Sequence, residues 1–294
     1  MDGESPDMLA HPLGPSPMAR AALAEYAQHG AFERYEQPRE LVKLLAGHHR
    51  VGIDQIVLGA GAAELVGRVL GVVLRRGETL VAHTPSWPLF PAMTRDYVTR
   101  TVEYRLAGNR VDHDLEAVLA TIDAATKLVY LISPANPMGC ALDAAPFERF
   151  LAKLRGDVTV VIDEAYAEFV TRTDAIDAPA LPRRDPRVIV VRSFSKFYAL
   201  AGLRIGYAIA APSRAHELTD VAPFATTAAA QAAAIGALHD RAHSRQTLEL
   251  IARGRAEHPD ALISDAPFAL APVPGIPRYF AGRYAMVSLW PKMT

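Results

Sequence analysis

The 294-residue sequence predicts an α/β fold: a mostly parallel sheet with helices on both faces. Two observations carry that expectation. Short runs rich in Val and Ile are apolar throughout rather than alternating, as strands buried on both faces are. Helical periods lie between them, and strand alternating with helix is the pattern of a parallel sheet with crossover helices.

Taken in order, strands are expected at Val57 to Gly59, Thr79 to Ala82, Lys127 to Ile132, Val158 to Ile162, Val188 to Val191 and Ile205 to Ile209. Ala62 to Leu74 is apolar nearly all round and reads as a buried helix. Leu115, Val118, Leu119 and Ile122 repeat at one-face helical spacing, as do Phe147, Phe150, Leu151 and Leu154. Near the start, Ser16-Pro17 reads as an N-cap and first-turn proline opening a helix through Ala22 and Tyr26. An Ala-rich helix is expected over Thr226 to Leu238 and a polar one over Arg241 to Glu257; the proline-rich tail from His258 is poorly periodic. The length suggests roughly two domains. The expected division is a large domain over 32–240 and a reduced second lobe from 1–31 and 241–294.

Half the residues are hydrophobic and 21% are charged, which excludes a disordered chain. A net charge of -1 gives no compositional case for nucleic acid or an anionic membrane surface as partner. A single cysteine, Cys140, rules out an intramolecular disulfide framework and a cysteine-based zinc cluster. Met1 to Met8 are polar and acidic, unlike a signal peptide, and no apolar stretch approaches the ~20 residues of a membrane span. A cytoplasmic protein acting on a small molecule is the expectation, with no metal.

Several motifs are decoys. Gly59-Ala60-Gly61 suggests a dinucleotide fingerprint, but Glu64 stands where the third glycine belongs. The turn is still a ready anion site, because it precedes a helix N-terminus. Ser193 to Lys196 satisfies S-x-x-K without the partner motifs of serine acylases. His239 and His243 read as a solvated helix face, His48-His49 as helix-end surface residues, and Cys140 as a packed thiol without a His or Asp partner.

Four segments are hard to explain as packing. Ser133-Pro134-Ala135-Asn136-Pro137-Met138-Gly139 ends one buried strand with an amide, and Asp163-Glu164-Ala165-Tyr166 ends the next with an acid and a phenol. Ser193-Phe194-Ser195-Lys196 ends a third, and Ala201-Gly202-Leu203-Arg204 follows with a guanidinium. Ligands of open α/β sheets bind at the carboxyl ends of strands, so Asn136, Asp163, Lys196 and Arg204 should converge there with Gly61 and its helix. A lysine amine for an aldehyde, a carboxylate for a pyridine nitrogen and cations for a phosphate are what pyridoxal 5′-phosphate requires.

Through these motifs the chain resembles the fold-type I aminotransferases, and among them the histidinol-phosphate aminotransferase branch, from about Leu13 to about Leu238. The resemblance implies a pyridoxal-phosphate-dependent aminotransferase. It implies that Lys196 bonds the cofactor aldehyde as a Schiff base and shuttles a proton. Asp163 would pair with the ring nitrogen, whose charge would keep it ionised, and Asn136 and Tyr166 would bond the ring oxygen. Ser193, Ser195, Arg204 and the backbone N–H groups of Ala62 and Ala63 would hold the phosphate, and Trp87 would stack on the ring. Arg34-Tyr35 matches a segment whose tyrosine reaches the neighbouring subunit's cofactor, implying a homodimer with composite sites. The resemblance also implies a carboxylate-gripping arginine on a C-terminal strand; Met286 occupies the best-matching position here, and Arg278 or Arg283 nearby could substitute. Two other readings stay open. One is a decarboxylase, lyase or cyclase on the same cofactor; the other is a degenerate binding module.

Overall fold

A computed structural model describes residues 10–33, 35, 39–272, 279–280 and 282–291. Among them the helices are α1 (Pro17–His29), α2 (Arg39–His49), α3 (Ala62–Val73), α4 (Phe90–Met93), α5 (Leu115–Thr121), α6 (Ala144–Lys153), α7 (Leu181–Arg184), α8 (Pro212–Asp220), α9 (Ala228–His239) and α10 (Arg241–Glu257). The strands are β1 (Ile56–Gly59), β2 (Thr79–Thr84), β3 (Val98–Glu103), β4 (Arg105–Ala107), β5 (Arg110–Asp112), β6 (Thr126–Ile132), β7 (Thr159–Glu164), β8 (Val188–Ser193), β9 (Gly206–Ile209), β10 (Phe268–Ala271) and β11 (Ala285–Ser288).

Seven strands form the central sheet in the order β1-β9-β8-β7-β6-β2-β3. Pairs from β3 through β8 are parallel, and β9 runs antiparallel between β8 and β1. The expected α/β class and mostly parallel sheet are borne out. Every side chain of β7 is buried, and β6 and β8 are nearly so, because helices cover both faces. One core lies under α2, α5, α6 and α9; the other packs α3 and α8 against the opposite face.

Local chemistry explains the element ends. Ser16 Oγ accepts the Ala19 N–H at the start of α1, Thr227 caps α9, and Asp240 caps α10. Gly236 of α9 leaves no room for a Cβ against the Met18 carbonyl, so α1 seats closely on α9. β10 and β11 pair antiparallel, with Leu270 opposite Met286. Their residues join Tyr166, Phe169 and Phe197 in a third, smaller core. Gly139, at φ +75, sits directly against the Ser264 side chain, so the tail packs on the loop after β6. Arg172 pairs with Asp143, Asp174 and Asp265, tying the same tail to the loops beside α6. No described helix is long and apolar enough to cross a membrane.

Three readings need correction. His243 is buried rather than solvated, with Nε2 3.1 Å from the Gly14 carbonyl oxygen. His49 is half-buried, its Nε2 2.8 Å from the Tyr207 hydroxyl. Cys140 has a histidine partner, since Sγ lies 3.8 Å from His113 Nδ1. Both histidine partnerships and the thiol contact come from residues distant in sequence, so local spacing carried no sign of them. Burial pushes the Cys140 thiol up, which keeps it protonated and inert.

Candidate active site

Strand register assembles the site. Asp163 in β7 stands level with Ile132 of β6 and Val191 of β8. Asn136 and Ser193 therefore lie at or just beyond the same carboxyl edge. Gly206 pairs with both Ser193 of β8 and Gly59 of β1, which brings the turn before α3 to that edge as well. Alternation along β7 separates its two acids. Asp163 faces the side covered by α3, and Glu164 on the other side pairs with Arg192 at 2.8 Å.

Asp163 is 5% exposed. The Tyr130 hydroxyl donates to its Oδ2 at 2.7 Å, and the Ala165 N–H donates to Oδ1 at 3.1 Å. Among the described residues no cation pairs with it, so burial pushes its carboxyl up despite both hydrogen bonds. The cation that would keep it ionised is the ring nitrogen of the cofactor; among the described residues no protein group supplies that charge. Each oxygen accepts a single bond, which leaves acceptor capacity for one more donor.

Lys196 is half-buried beyond β8, its Nζ 5.9 Å from the Tyr166 ring centroid. Among the described residues no carboxylate pairs with it. Burial, then the nearby Arg204 guanidinium, holds the amine below the ordinary lysine value. Asn136 Nδ2 donates to the Tyr166 hydroxyl at 3.2 Å, linking the loops after β6 and β7.

The anion cup lies at the β1–α3 turn. Gly61 caps α3 at φ +91, a conformation only glycine adopts freely. Arg204 spans the turn, donating from Nη2 to the Ala60 carbonyl at 2.9 Å and from Nη1 to the Ala201 carbonyl at 3.0 Å. A Cβ on Gly61 would lie 2.8 Å from Arg204 Nη2. The first N–H groups of α3, at Ala62 and Ala63, have no intrahelical acceptor. Glu64 does not oppose an anion here, because Arg68 holds it through both carboxylate oxygens at 2.6 and 2.8 Å. Ser193 Oγ accepts the Ser195 N–H at 3.0 Å and so shapes the loop that carries Lys196.

The remaining site residues are placed less centrally. Trp87 is half-buried, and its indole N–H donates to the Tyr130 hydroxyl at 3.0 Å. Tyr35 is 81% exposed, with its ring 4.7 Å from Phe224. Arg283 is exposed and donates to the Phe280 carbonyl. Arg34 and Arg278 lie outside the described residues. Sequence reasoning missed Tyr130; its only local sign was an aromatic inside a buried strand, which reads as core.

These residues fit pyridoxal 5′-phosphate. A buried carboxylate without a cation among the described residues, a half-buried amine without an anion among them, and a glycine turn under a guanidinium answer to its ring nitrogen, aldehyde and phosphate. The comparison of families decides the kinship: residues 3–264 match the sequence model described as aminotransferase class I and II. The chain belongs to that family.

Among aminotransferase relatives, histidinol-phosphate aminotransferase 1 of Cupriavidus pinatubonensis is 36% identical over 84% of this chain and 65% of its own length. The aromatic amino acid aminotransferase of Rhodococcus jostii is 39% identical over 77% of this chain and 63% of its own. The match thus spans about two thirds of these curated relatives. The crystal structure of histidinol-phosphate aminotransferase from Sinorhizobium meliloti, in complex with pyridoxal-5′-phosphate, superposes with a TM-score of 0.81 at 30% identity. That superposition covers 91% of this aminotransferase-family chain and 75% of the other.

Proposed function

We propose that the chain is a pyridoxal-phosphate-dependent aminotransferase, moving an amino group between a small amino compound and a keto acid or aldehyde. The observation that carries this reading is the pair Asp163 and Lys196, at neighbouring strand ends and each without an opposite charge among the described residues. When bound, the cofactor supplies an exchangeable aldehyde and an electron-withdrawing protonated ring.

This chain's residues would then divide the work. Lys196 Nζ, held below its ordinary value by burial and by Arg204, is neutral more readily and so more nucleophilic. Lys196 Nζ would also carry a proton to and from the substrate carbon. Asp163 accepts the ring N–H and holds that proton in place. Asn136 and Tyr166, already bonded to each other, present donors to the ring oxygen. Arg204, the α3 N-terminus, Ser193 and Ser195 bind the phosphate. Trp87 covers a ring face.

A homodimer with composite sites is part of the proposal, supported by the exposed aromatic pair Tyr35 and Phe224. So is a cytoplasmic setting, supported by a single, unpaired cysteine. The division into a large domain and a two-ended lobe is part of the proposal; the small core under β10 and β11 also takes in Tyr166, Phe169 and Phe197 of the large domain. Ala19 of α1 instead shares the sheet's core, which favours grouping that helix with the large domain.

The relatives' names support histidinol phosphate or an aromatic amino acid as amino donor. Met286, on β11, supports a donor lacking an α-carboxylate, since no arginine stands there to grip one. Single-turnover spectra of cofactor-loaded protein with histidinol phosphate, phenylalanine and glutamate test the proposal. Conversion of bound cofactor to its amine form by at least one donor is expected, with glutamate slow. A protein that binds the cofactor and is converted by none would overturn aminotransfer.

A further inference from the structure

Tyr130 is 1% exposed and sits two residues before the end of β6. Its hydroxyl does two things at once. It donates to Asp163 Oδ2 at 2.7 Å and accepts the Trp87 indole N–H at 3.0 Å. The phenol is fixed from the side by Phe90, whose ring stacks on it at 4.5 Å and 12°. Register puts Val161, not Asp163, directly opposite Tyr130, so the contact is diagonal across two strands. Only a long side chain closes that gap. A buried phenol needs some hydrogen-bond partner, but a backbone carbonyl would satisfy its proton. Here the proton is given to the buried Asp163 carboxylate.

We propose that Tyr130 is a positioning residue for Asp163, fixing the carboxylate to receive a ring N–H, with Trp87 strengthening the Tyr130 donor. This rests on the assignment of Asp163 to the cofactor nitrogen. Tyr130 and the Ala165 N–H grip opposite oxygens of the carboxylate, which stops it turning about its side-chain bonds. Donation to the charged form also opposes the effect of burial, so Asp163 keeps an acceptor for the ring. Trp87 donates to the same oxygen that gives up the proton to Asp163, and chained hydrogen bonds of this kind polarise one another. An aromatic expected to lie over a ring face thus also reaches the ring's nitrogen partner through one phenol.

The test is equilibrium binding of two ligands by the full chain. One is pyridoxal 5′-phosphate; the other is its carbocyclic analogue, in which C–H replaces the ring nitrogen. Wild type should prefer the nitrogen ligand. Tyr130→Phe should weaken binding of pyridoxal 5′-phosphate by roughly tenfold or more and leave the analogue within about twofold. Trp87→Phe keeps the Tyr130 contact and should show a smaller loss, again biased against the nitrogen ligand. Trp87→Phe also keeps the test readable if Tyr130→Phe does not fold. Equal losses for both ligands, or none, would overturn the inference by reducing Tyr130 to packing. A wild type that binds both ligands equally would instead overturn the role of Asp163, and Tyr130's with it.

Discussion

Arg204 Nη2 donates to the Ala60 carbonyl at 2.9 Å, directly over a glycine, Gly61, whose φ is +91. The guanidinium and the turn are built to each other's shape. Gly61→Ala should therefore push Arg204 aside and strain the turn, lowering affinity for pyridoxal 5′-phosphate. The phosphate-free aldehyde pyridoxal should be affected much less. Arg204→Ala should show the same bias, with a loss of roughly ten- to a hundredfold. Titration of each variant with both aldehydes measures it, and an equal loss for the two would remove Arg204 from the phosphate site.

Lys196 and Arg204 are also coupled electrostatically. Burial and then Arg204 lower the amine's value, so Lys196 should react with an amine-directed reagent at lower pH than an ordinary lysine. Arg204→Ala removes one of those two causes, and the reactivity midpoint should move up in pH while staying below the ordinary value. Peptide-resolved labelling across pH reads this without any turnover.

Subunit exchange tests the composite site. Lys196→Ala and Tyr35→Phe subunits should each be weak alone. Mixed dimers would carry one site with both lesions and one with neither, so activity should partly return. Verified exchange without recovery would confine Tyr35 to its own subunit.

Stability should fall in acid for a reason unrelated to catalysis. His83 in β2 is buried with neither ring nitrogen hydrogen-bonded among the described residues, and burial, then His113, pushes it down from 6.5 to about 2. Between those values the unfolded chain binds a proton that the folded one refuses. Stability is therefore full above about 6.5 and is lost as pH falls, by about 1.4 kcal/mol per pH unit from this group. His83→Phe keeps a buried ring without a titrating group. Urea melts should show its stability falling less steeply with acid than wild type; parallel slopes would show that His83 takes up a proton in the fold.

Much of this architecture is legible in the sequence. The strands read at Lys127 to Ile132 and Val188 to Val191 are observed at Thr126–Ile132 and Val188–Ser193, because parallel strands buried on both faces are runs of apolar residues. Asn136, Asp163 and Lys196 stood out because polar groups rarely end such runs without a task. What stayed hidden depends on partners far along the chain. Tyr130 looks like core until its hydroxyl meets Asp163, 33 residues on. His243 looks solvated until the Gly14 carbonyl arrives from 229 residues away. β3, with most of its residues part-exposed at the sheet edge, lacks the continuous apolar run of its neighbours. β10 is short and lies among prolines.

On the proposed function, Lys196 is the residue that bonds the cofactor. Incubation of the protein with pyridoxal 5′-phosphate, reduction with borohydride and peptide mapping test it directly. A phosphopyridoxyl group is expected on Lys196 and absent from Lys196→Ala. A stable label on a different lysine, or a folded protein that takes no label, would contradict it.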